Sequence, residues 1–94
     1  MDLIKHNKYF DGKVQSLGFN NELANMTIGI MEPGEYEFST ELHEKMEIIS
    51  GTLEVKIPGE EIIEVKDGQH FEVEAKQVFK VFAKTEVAYI CYYG

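Results

Sequence analysis

A histidine and a glutamate, His43 and Glu44, lie side by side near the middle of the chain. Both are common ligands of divalent metals, and a carboxylate can also stabilise a positive charge on a substrate. In an extended chain their side chains point to opposite faces, so only one of them can serve a given site. One carboxylate cannot hold a transition metal, which needs about three protein ligands. The pair therefore favours charge stabilisation by Glu44.

Glu44 lies at the start of a predicted strand over residues 44–50, where it shares a face with Met46 and Ile48. This pattern predicts a carboxylate at the edge of an apolar interior. The alternative is a charged strand end turned to water. For His43 the simpler interpretation is a solvated loop residue. His70 shares a polar face with Glu72, and His6 is expected to lie in a frayed terminus.

Alternation with a period of two predicts the strands that would position these residues. It is clearest in "TLEVKI", residues 52–57, and it recurs in "QHFEVE", residues 69–74. Pro58–Gly59 and Asp67–Gly68 are turn signals between them. No helical period is found, so the pattern predicts an all-β sandwich or barrel. Further strands are predicted at residues 13–19, 26–31, 35–40, 45–50, 61–65, 78–83 and 87–93.

The length of 94 residues is typical of one domain, expected over residues 1–94. No apolar stretch is long enough to span a bilayer and no secretory signal is evident, so a soluble, cytoplasmic protein is expected. The net charge is −8 and all nine basic residues are lysine, which makes nucleic acid and anionic membranes poor partners. The single cysteine, Cys91, is most simply a buried small hydrophobe.

The spacing of Gly34, Glu44, Gly51 and Gly68 resembles the two-motif skeleton of the cupins, which are single-domain β-barrels of the jelly-roll type. In metal-binding cupins the first motif supplies two histidines and a glutamate, and the second motif supplies another histidine. Only the glutamate, Glu44, has a counterpart here. The resemblance therefore implies a cupin-like barrel that has lost its metal. The histidine positions correspond to Thr40, Leu42 and Phe79.

Four segments carry a more specific resemblance, to the small cupin-like pyrimidine/purine nucleoside phosphorylase family. It extends over residues 7–93 and implies a homodimer that converts many purine and pyrimidine nucleosides to free base and ribose 1-phosphate. The co-substrate would be inorganic phosphate, with no cofactor. Glu74 and Lys76 depart from that family, whose members often have a proline and a glycine there. The segments are "NKYFDGKVQSLGF", "PGEYEFST", "EKMEIISGTLEV" and "AYICYYG".

Phosphorolysis needs an anion near the anomeric carbon of the sugar, stabilisation of an oxocarbenium-like sugar and a hydrogen bond to the departing base. Glu44 is the predicted catalytic residue, bound to ribose hydroxyls or stabilising the sugar cation. Since the chain has no arginine, lysine, hydroxyl and backbone groups must bind the phosphate. Ser39 and Thr40 are the predicted hydroxyl pair. Nothing selects among the possible cationic partners, Lys13, Lys45 and Lys80.

Aromatic residues could form a platform on which bases of either ring size stack. The alternative for each of them is core packing. Tyr89 and Tyr93 share a face with Cys91 and are further aromatic candidates. The residues predicted to bind substrate in this way are Tyr9, Phe10, Tyr36 and Phe38.

Two other functions compete with this interpretation. A non-catalytic cupin that binds a sugar or a nucleoside would share the same fold and aromatic residues. A metal-dependent oxygenase or isomerase would need ligands that the spacing does not provide.

Overall fold

The computed structural model describes residues 3–20 and 25–94, and its regular elements are all β-strands. Every strand predicted from the sequence is present, with ends shifted by two residues at most. Within this described part, no helix has the length and apolarity needed to cross a membrane. The strands are β1 (Lys5–Tyr9), β2 (Val14–Asn20), β3 (Asn25–Met31), β4 (Gly34–Ser39), β5 (Glu44–Ser50), β6 (Thr52–Lys56), β7 (Ile63–Lys66), β8 (His70–Val73), β9 (Val78–Ala83) and β10 (Val87–Tyr93).

The strands form two antiparallel sheets whose inner faces share one apolar core. The larger sheet has the order β1-β2-β3-β10-β5-β8, and the smaller has the order β4-β9-β6-β7. Ring contacts join the sheets, as between Phe71 and Phe79, whose centroids are 6.0 Å apart. The all-β prediction is confirmed, although the strands form two facing sheets instead of one closed ring. The largest fully buried side chains are Phe79, Met31, Ile48, Leu53, Val14, Val55, Val73, Val81, Val87 and Cys91.

The strand that the sequence pattern does not predict is β1, and the expectation that His6 lies in a frayed terminus is wrong. β1 pairs with β2 over its whole length, with His6 opposite Leu17. The ring N–H of His6 donates to Gln15 Oε1 over 3.0 Å. β1 is polar because it is an edge strand with exposed side chains, so it carries no alternating apolar signal.

The inner face of the larger sheet changes from apolar to polar along the strands. At one end Val14 lies opposite Met31, and Met31 opposite Val87. At the other end Asn25 lies opposite Tyr93, and Tyr93 opposite Glu44. Directly opposed residues of an antiparallel pair point to the same face, so these rows face the interior together. The candidate site lies at the polar end.

Thr40 follows β4 and fastens the turn between β8 and β9. Its hydroxyl donates to the carbonyl oxygen of Glu74 over 2.7 Å and accepts from the backbone N–H of Gln77 over 2.9 Å. The backbone of Thr40 also bonds Gln77 and Lys76. The side chain is 2% exposed, so this turn depends on it for polar partners that water cannot supply.

Thr40→Val should destabilise the fold by roughly 2 kcal/mol, because it leaves a backbone carbonyl and a backbone N–H without their partner at almost unchanged volume. Thr40→Ser keeps the hydroxyl and should cost less than about 1 kcal/mol, the value of one buried methyl group. Urea unfolding measures both. Equal losses in the two variants would contradict the role given to the hydroxyl.

Lys76, in the same turn, has a φ of +61°, which is a left-handed conformation that glycine adopts without steric cost. Lys76→Gly should therefore raise the free energy of unfolding by about 0.5–1 kcal/mol, the usual penalty for a side chain in this region less the added freedom of glycine in the unfolded chain. Lys76→Ala is the control, since it removes the charge but keeps Cβ, and it should change stability little. A destabilised glycine variant would refute this account.

Candidate active site

A cavity of about 460 Å³ opens between the two sheets at the polar end of the inner face, a size typical of small-ligand sites. One wall is aromatic and comes mainly from the β1–β2 hairpin and the smaller sheet. The opposite wall carries hydroxyl and carboxyl groups from the larger sheet. The lining residues are Tyr9, Phe10, Ser16, Asn25, Glu37, Phe38, Ser39, Glu41, Leu42, Glu44, Met46, Phe79, Tyr89 and Tyr93.

The aromatic wall depends on an unusual hairpin turn between β1 and β2. Phe10 and Asp11 both have positive φ, +53° and +58°, and Gly12 N–H closes the turn on Tyr9 O over 3.1 Å. A bulky residue in this region is a genuine outlier, and such strain concentrates at functional sites. The turn places the Phe10 ring 5.6 Å from that of Phe38, at the cavity.

Glu44 is half-buried, and its carboxylate is held by a thiol. Cys91 Sγ donates to Glu44 Oε1 over 3.4 Å. Burial raises the pKa of Glu44, while the thiol and the nearby His43 lower it by a smaller amount. Burial and the charge of Glu44 raise the pKa of Cys91, so the thiol stays protonated. Cys91 is buried, as predicted, and it acts here as a donor to the carboxylate.

Two tyrosines of β10 complete the polar wall. Tyr89 lies so close over Gly29 that a Cβ at this glycine would come within 2.5 Å of the phenol oxygen, so no side chain fits there. Tyr93 Oη lies 3.0 Å from Thr27 Oγ1. Burial raises the pKa of both phenols, Tyr89 and Tyr93, which therefore remain neutral and able to donate hydrogen bonds. Alternation in "AYICYY" placed both on one face, but only the fold brings them to the cavity.

Most of the residues predicted to bind substrate line this cavity. Tyr9, Phe10, Phe38, Ser39 and Glu44 do so.

Two predicted substrate-binding residues lie outside the lining. Tyr36 is buried behind Phe10, with ring centroids 5.0 Å apart, and its hydroxyl donates to the carbonyl oxygen of Glu32 over 2.7 Å. The hydroxyl of Thr40 is engaged in the β8–β9 turn. The structure thus separates Ser39 from Thr40 as a phosphate-binding pair, because Ser39 is exposed while the Thr40 hydroxyl is buried and bonded within the turn.

Part of the lining has no local signal in the sequence. Ser16, Asn25, Glu37 and Glu41 join the cavity through pairing and packing of distant strands. Leu42, at a cupin ligand position, and Met46, on the face that Glu44 was predicted to share, also line it. Phe79 is the residue that the motif spacing aligns with a cupin histidine. Its ring packs between Phe38, at 5.7 Å, and Phe71, at 6.0 Å.

The cavity is acidic. Three glutamates, Glu37, Glu41 and Glu44, belong to its lining, and no lysine, arginine or histidine does so among the described residues. Lys45 lies over the ring of Tyr92, 5.9 Å from its centroid. Lys13 and Lys80 line grooves elsewhere on the surface. None of the three lysines named as cationic partners therefore reaches this cavity.

The histidines lie outside the cavity. His43 Nε2 is 2.9 Å from Glu72 Oε1, and His70 Nε2 is 3.9 Å from the other oxygen of Glu72. His43 thus points away from Glu44, as alternation predicts. Across residues 3–20 and 25–94, no three histidine, cysteine, aspartate or glutamate side chains converge as a set of metal ligands.

Solved structures place this fold among the cupins. A protein of unknown function from Vibrio parahaemolyticus has a TM-score of 0.92 at 41% identity, covering 97% of this chain and 98% of that one. The Cnp3 cupin domain of Schizosaccharomyces pombe has a TM-score of 0.69 at 17% identity, covering 85% of this chain and 60% of that one. At this identity the second likeness concerns the fold alone, and the prediction of a cupin-like fold is confirmed.

Sequence comparison is more specific. The family model for pyrimidine/purine nucleoside phosphorylase matches residues 4–93. The pyrimidine/purine nucleoside phosphorylase of Magnetococcus marinus is 44% identical over 93 residues, covering 98% of this chain and all of that protein. The protein of the same name from Alcanivorax borkumensis is 46% identical over 93 residues, covering 98% of this chain and 99% of that protein. The chain belongs to the pyrimidine/purine nucleoside phosphorylase family.

Proposed function

We propose that this protein is a pentosyltransferase of broad specificity, which converts purine and pyrimidine nucleosides and inorganic phosphate to free base and ribose 1-phosphate without a metal. The observation that carries the proposal is the cavity itself, in which an aromatic wall faces a half-buried carboxylate. Family membership supports nucleosides and phosphate as the substrates.

In the proposed reaction an oxygen of hydrogen phosphate forms a bond to the anomeric carbon while the bond from that carbon to the base nitrogen breaks. The electron pair of the broken bond stays on the base, which takes up the proton that hydrogen phosphate brings. No redox change occurs, and charge is balanced between substrates and products. The sugar passes through an oxocarbenium-like state, whose stabilisation is the main demand on the protein.

Glu44 meets that demand because its carboxylate is negatively charged and attracts the positive sugar. A carboxylate in a half-buried position interacts with a sugar cation more strongly than one in water, because the local dielectric is lower. The raised pKa of Glu44 reflects the same burial. The thiol of Cys91 fixes one carboxylate oxygen and leaves the other available for the sugar.

The aromatic wall supports broad specificity. Rings such as Phe10 and Phe38 stack on the π-face that purines and pyrimidines share, so they do not discriminate by ring size. The neutral hydroxyls of Tyr89 and Tyr93 can donate hydrogen bonds to a sugar or a base oxygen. Neither group requires a particular pattern of polar atoms on the base.

The donor set supports a reaction without a metal. Of the cupin ligand positions, Thr40 is committed to a turn, Phe79 is buried in the core and Leu42 has an apolar side chain at the cavity. Glu44 alone cannot replace the three ligands that a transition metal needs.

A homodimer also belongs to the proposal. Leu17, Ile28 and Ile30 are exposed on the outer face of the larger sheet, where Leu17 lies opposite Ile28. Ile28 and Ile30 are in turn opposite Ile90 and Ala88 of β10, so the apolar side chains are contiguous. An apolar face of this kind supports pairing of two copies.

Cytoplasmic location stays a prediction from the sequence.

A second function is favoured by one observation. The carboxylates that line the cavity, with no cation in its described lining, suit a neutral nucleoside better than an anion. A non-catalytic nucleoside-binding cupin would show thermal stabilisation by nucleoside without turnover.

Incubation with inosine or uridine should release free base only when phosphate is added, and dialysis against EDTA should leave the rate unchanged. Liquid chromatography of the bases, with colorimetric ribose 1-phosphate detection, measures both results. Nucleoside-induced stabilisation without base release would favour the binding function. Loss of activity on chelation, restored by one metal, would refute the metal-free reaction.

Glu44→Gln should lower kcat at least 100-fold, the usual cost of removing one preorganised electrostatic group.

Since burial raises the pKa of Glu44, its protonated form is favoured by the fold. The protonated form therefore adds to the free energy of unfolding at pH values below the ordinary pKa of a glutamate. This contribution is lost as the pH rises through the raised pKa that Glu44 has in the folded protein. The glutamine variant should therefore unfold at a higher temperature than the wild type at pH 7.

The activity of the wild type should fall as pH drops through the raised pKa of Glu44, because the protonated carboxyl carries no charge. Residual activity of Glu44→Gln should lack this acidic limb. A pH profile of kcat for the two proteins, with Glu37→Gln as a control for an exposed carboxylate of the same cavity, measures the effect. An unchanged acidic limb in Glu44→Gln would exclude Glu44 as the titrating group.

A further inference from the structure

The acidic cavity offers no favourable binding site for the phosphate. The glutamates of the lining, above all half-buried Glu44, repel a dianion, and the described lining contains no cation to offset them. Reaction nevertheless requires phosphate within bonding distance of the sugar. On the proposed function, a neighbouring surface must hold the anion.

A second pocket of about 540 Å³ adjoins the cavity beside the first residues of β1 and β3 and the last residues of β2. The two spaces share Asn25 and Tyr93 as lining residues. In contrast to the cavity, the second pocket has no carboxylate in its described lining and has one lysine, Lys5. Its lining residues are Leu3, Lys5, Asn7, Gly18, Phe19, Asn20, Asn25, Met26, Thr27 and Tyr93.

Strand register places the lysine on the interior side of the sheet. Lys5 is opposite Gly18, Gly18 is opposite Thr27, and Thr27 is opposite Cys91. Members of such a row share a face, and Cys91 is buried in the core, so this face is the inner one. Gly18 itself is closely packed, since a Cβ there would lie 3.3 Å from Thr27 Cγ2 and 3.7 Å from Asn7 Nδ2, so Lys5 and Asn7 present their polar ends at the rim of this row.

The remaining polar groups of the pocket are uncharged donors. Asn7 Nδ2 donates to Ser16 Oγ over 3.3 Å and has a second N–H for a ligand. Asn20 lies opposite Asn25, so the two amides face the same space. With no arginine in the chain, one lysine surrounded by amides and hydroxyls is the phosphate-binding combination that the sequence permits.

We propose that the second pocket binds inorganic phosphate, with Lys5 supplying the positive charge and Asn7, Asn25 and Tyr93 supplying hydrogen bonds. This inference rests on the proposed function and locates its co-substrate. In a direct displacement the anion approaches the anomeric carbon opposite to the leaving base. A base on the aromatic wall and a phosphate in the second pocket would lie on either side of a sugar held near Glu44 and Tyr93, which are opposite each other in register.

Another cationic groove fits this role less well. It is lined by His6 and Lys13 but also by Glu32, and its floor is the outer face of the larger sheet, with exposed Leu17 and Ile28. A phosphate bound there would be separated from the cavity by the sheet.

Titration with inorganic phosphate at constant ionic strength, followed by calorimetry, tests the assignment. Lys5→Gln should weaken phosphate binding at least fivefold, and Lys5→Arg should restore it to within threefold of the wild type. Lys8→Gln is the matched control, because Lys8 lies on the same strand opposite exposed Gln15, lines neither space and carries the same charge. It should change phosphate affinity less than twofold. Uridine affinity should change less than twofold in all three variants.

The wild type failing to bind phosphate, or equal losses in Lys5→Gln and Lys8→Gln, would overturn the proposal. Since binding is measured without turnover, the result is independent of catalysis. Lys5-dependent phosphate binding without base release would support the pocket and refute the proposed reaction. Phosphate-dependent base release with affinity insensitive to Lys5 would refute the pocket and leave the reaction standing.

Discussion

Polarity that changes along the inner face of one sheet is the constraint on which this structure depends. The same strands that supply Val14, Met31 and Val87 to the core supply Asn25 and Tyr93 to the cavity, a few residues away. Apolar burial at one end stabilises the sheet and holds the polar end at fixed register. Because the core already fixes the backbone there, polar groups can be partly buried without disrupting the fold.

That arrangement has an energetic cost that is concentrated at Glu44. A half-buried carboxylate loses hydration, as its raised pKa shows, and among the described residues the thiol of Cys91 is the partner within hydrogen-bond distance. The left-handed backbone at Phe10 is a second unfavourable feature at the same cavity. Natural sequences retain such features where function requires them, and here both face one space.

The positions that motif spacing aligns with cupin metal ligands have other roles in this structure. Phe79 adds an aromatic ring to the core and lines the cavity, Thr40 fastens a turn, and Glu44 keeps a carboxyl group at the interior edge. Charge that a metal would supply in a metal-binding cupin has no equivalent in the described lining of the cavity. Positive charge is found instead beside it, at Lys5.

The sequence by itself determined nine of the ten described strands, the all-β class, the inward direction of Glu44 and the family, because alternation and motif spacing are local properties of the chain. It could not determine how deeply each of these side chains is buried or which of them reach the cavity. Tyr36 and Phe38 share one face, yet Phe38 lines the cavity and Tyr36 lies behind it. Thr40 was separated from Ser39 by a bond to Glu74, 34 residues away. Strand β1, with Lys5, has no apolar pattern to reveal it. Only tertiary structure decided these points, because pairing between distant strands determines which polar groups meet one another and which meet a ligand.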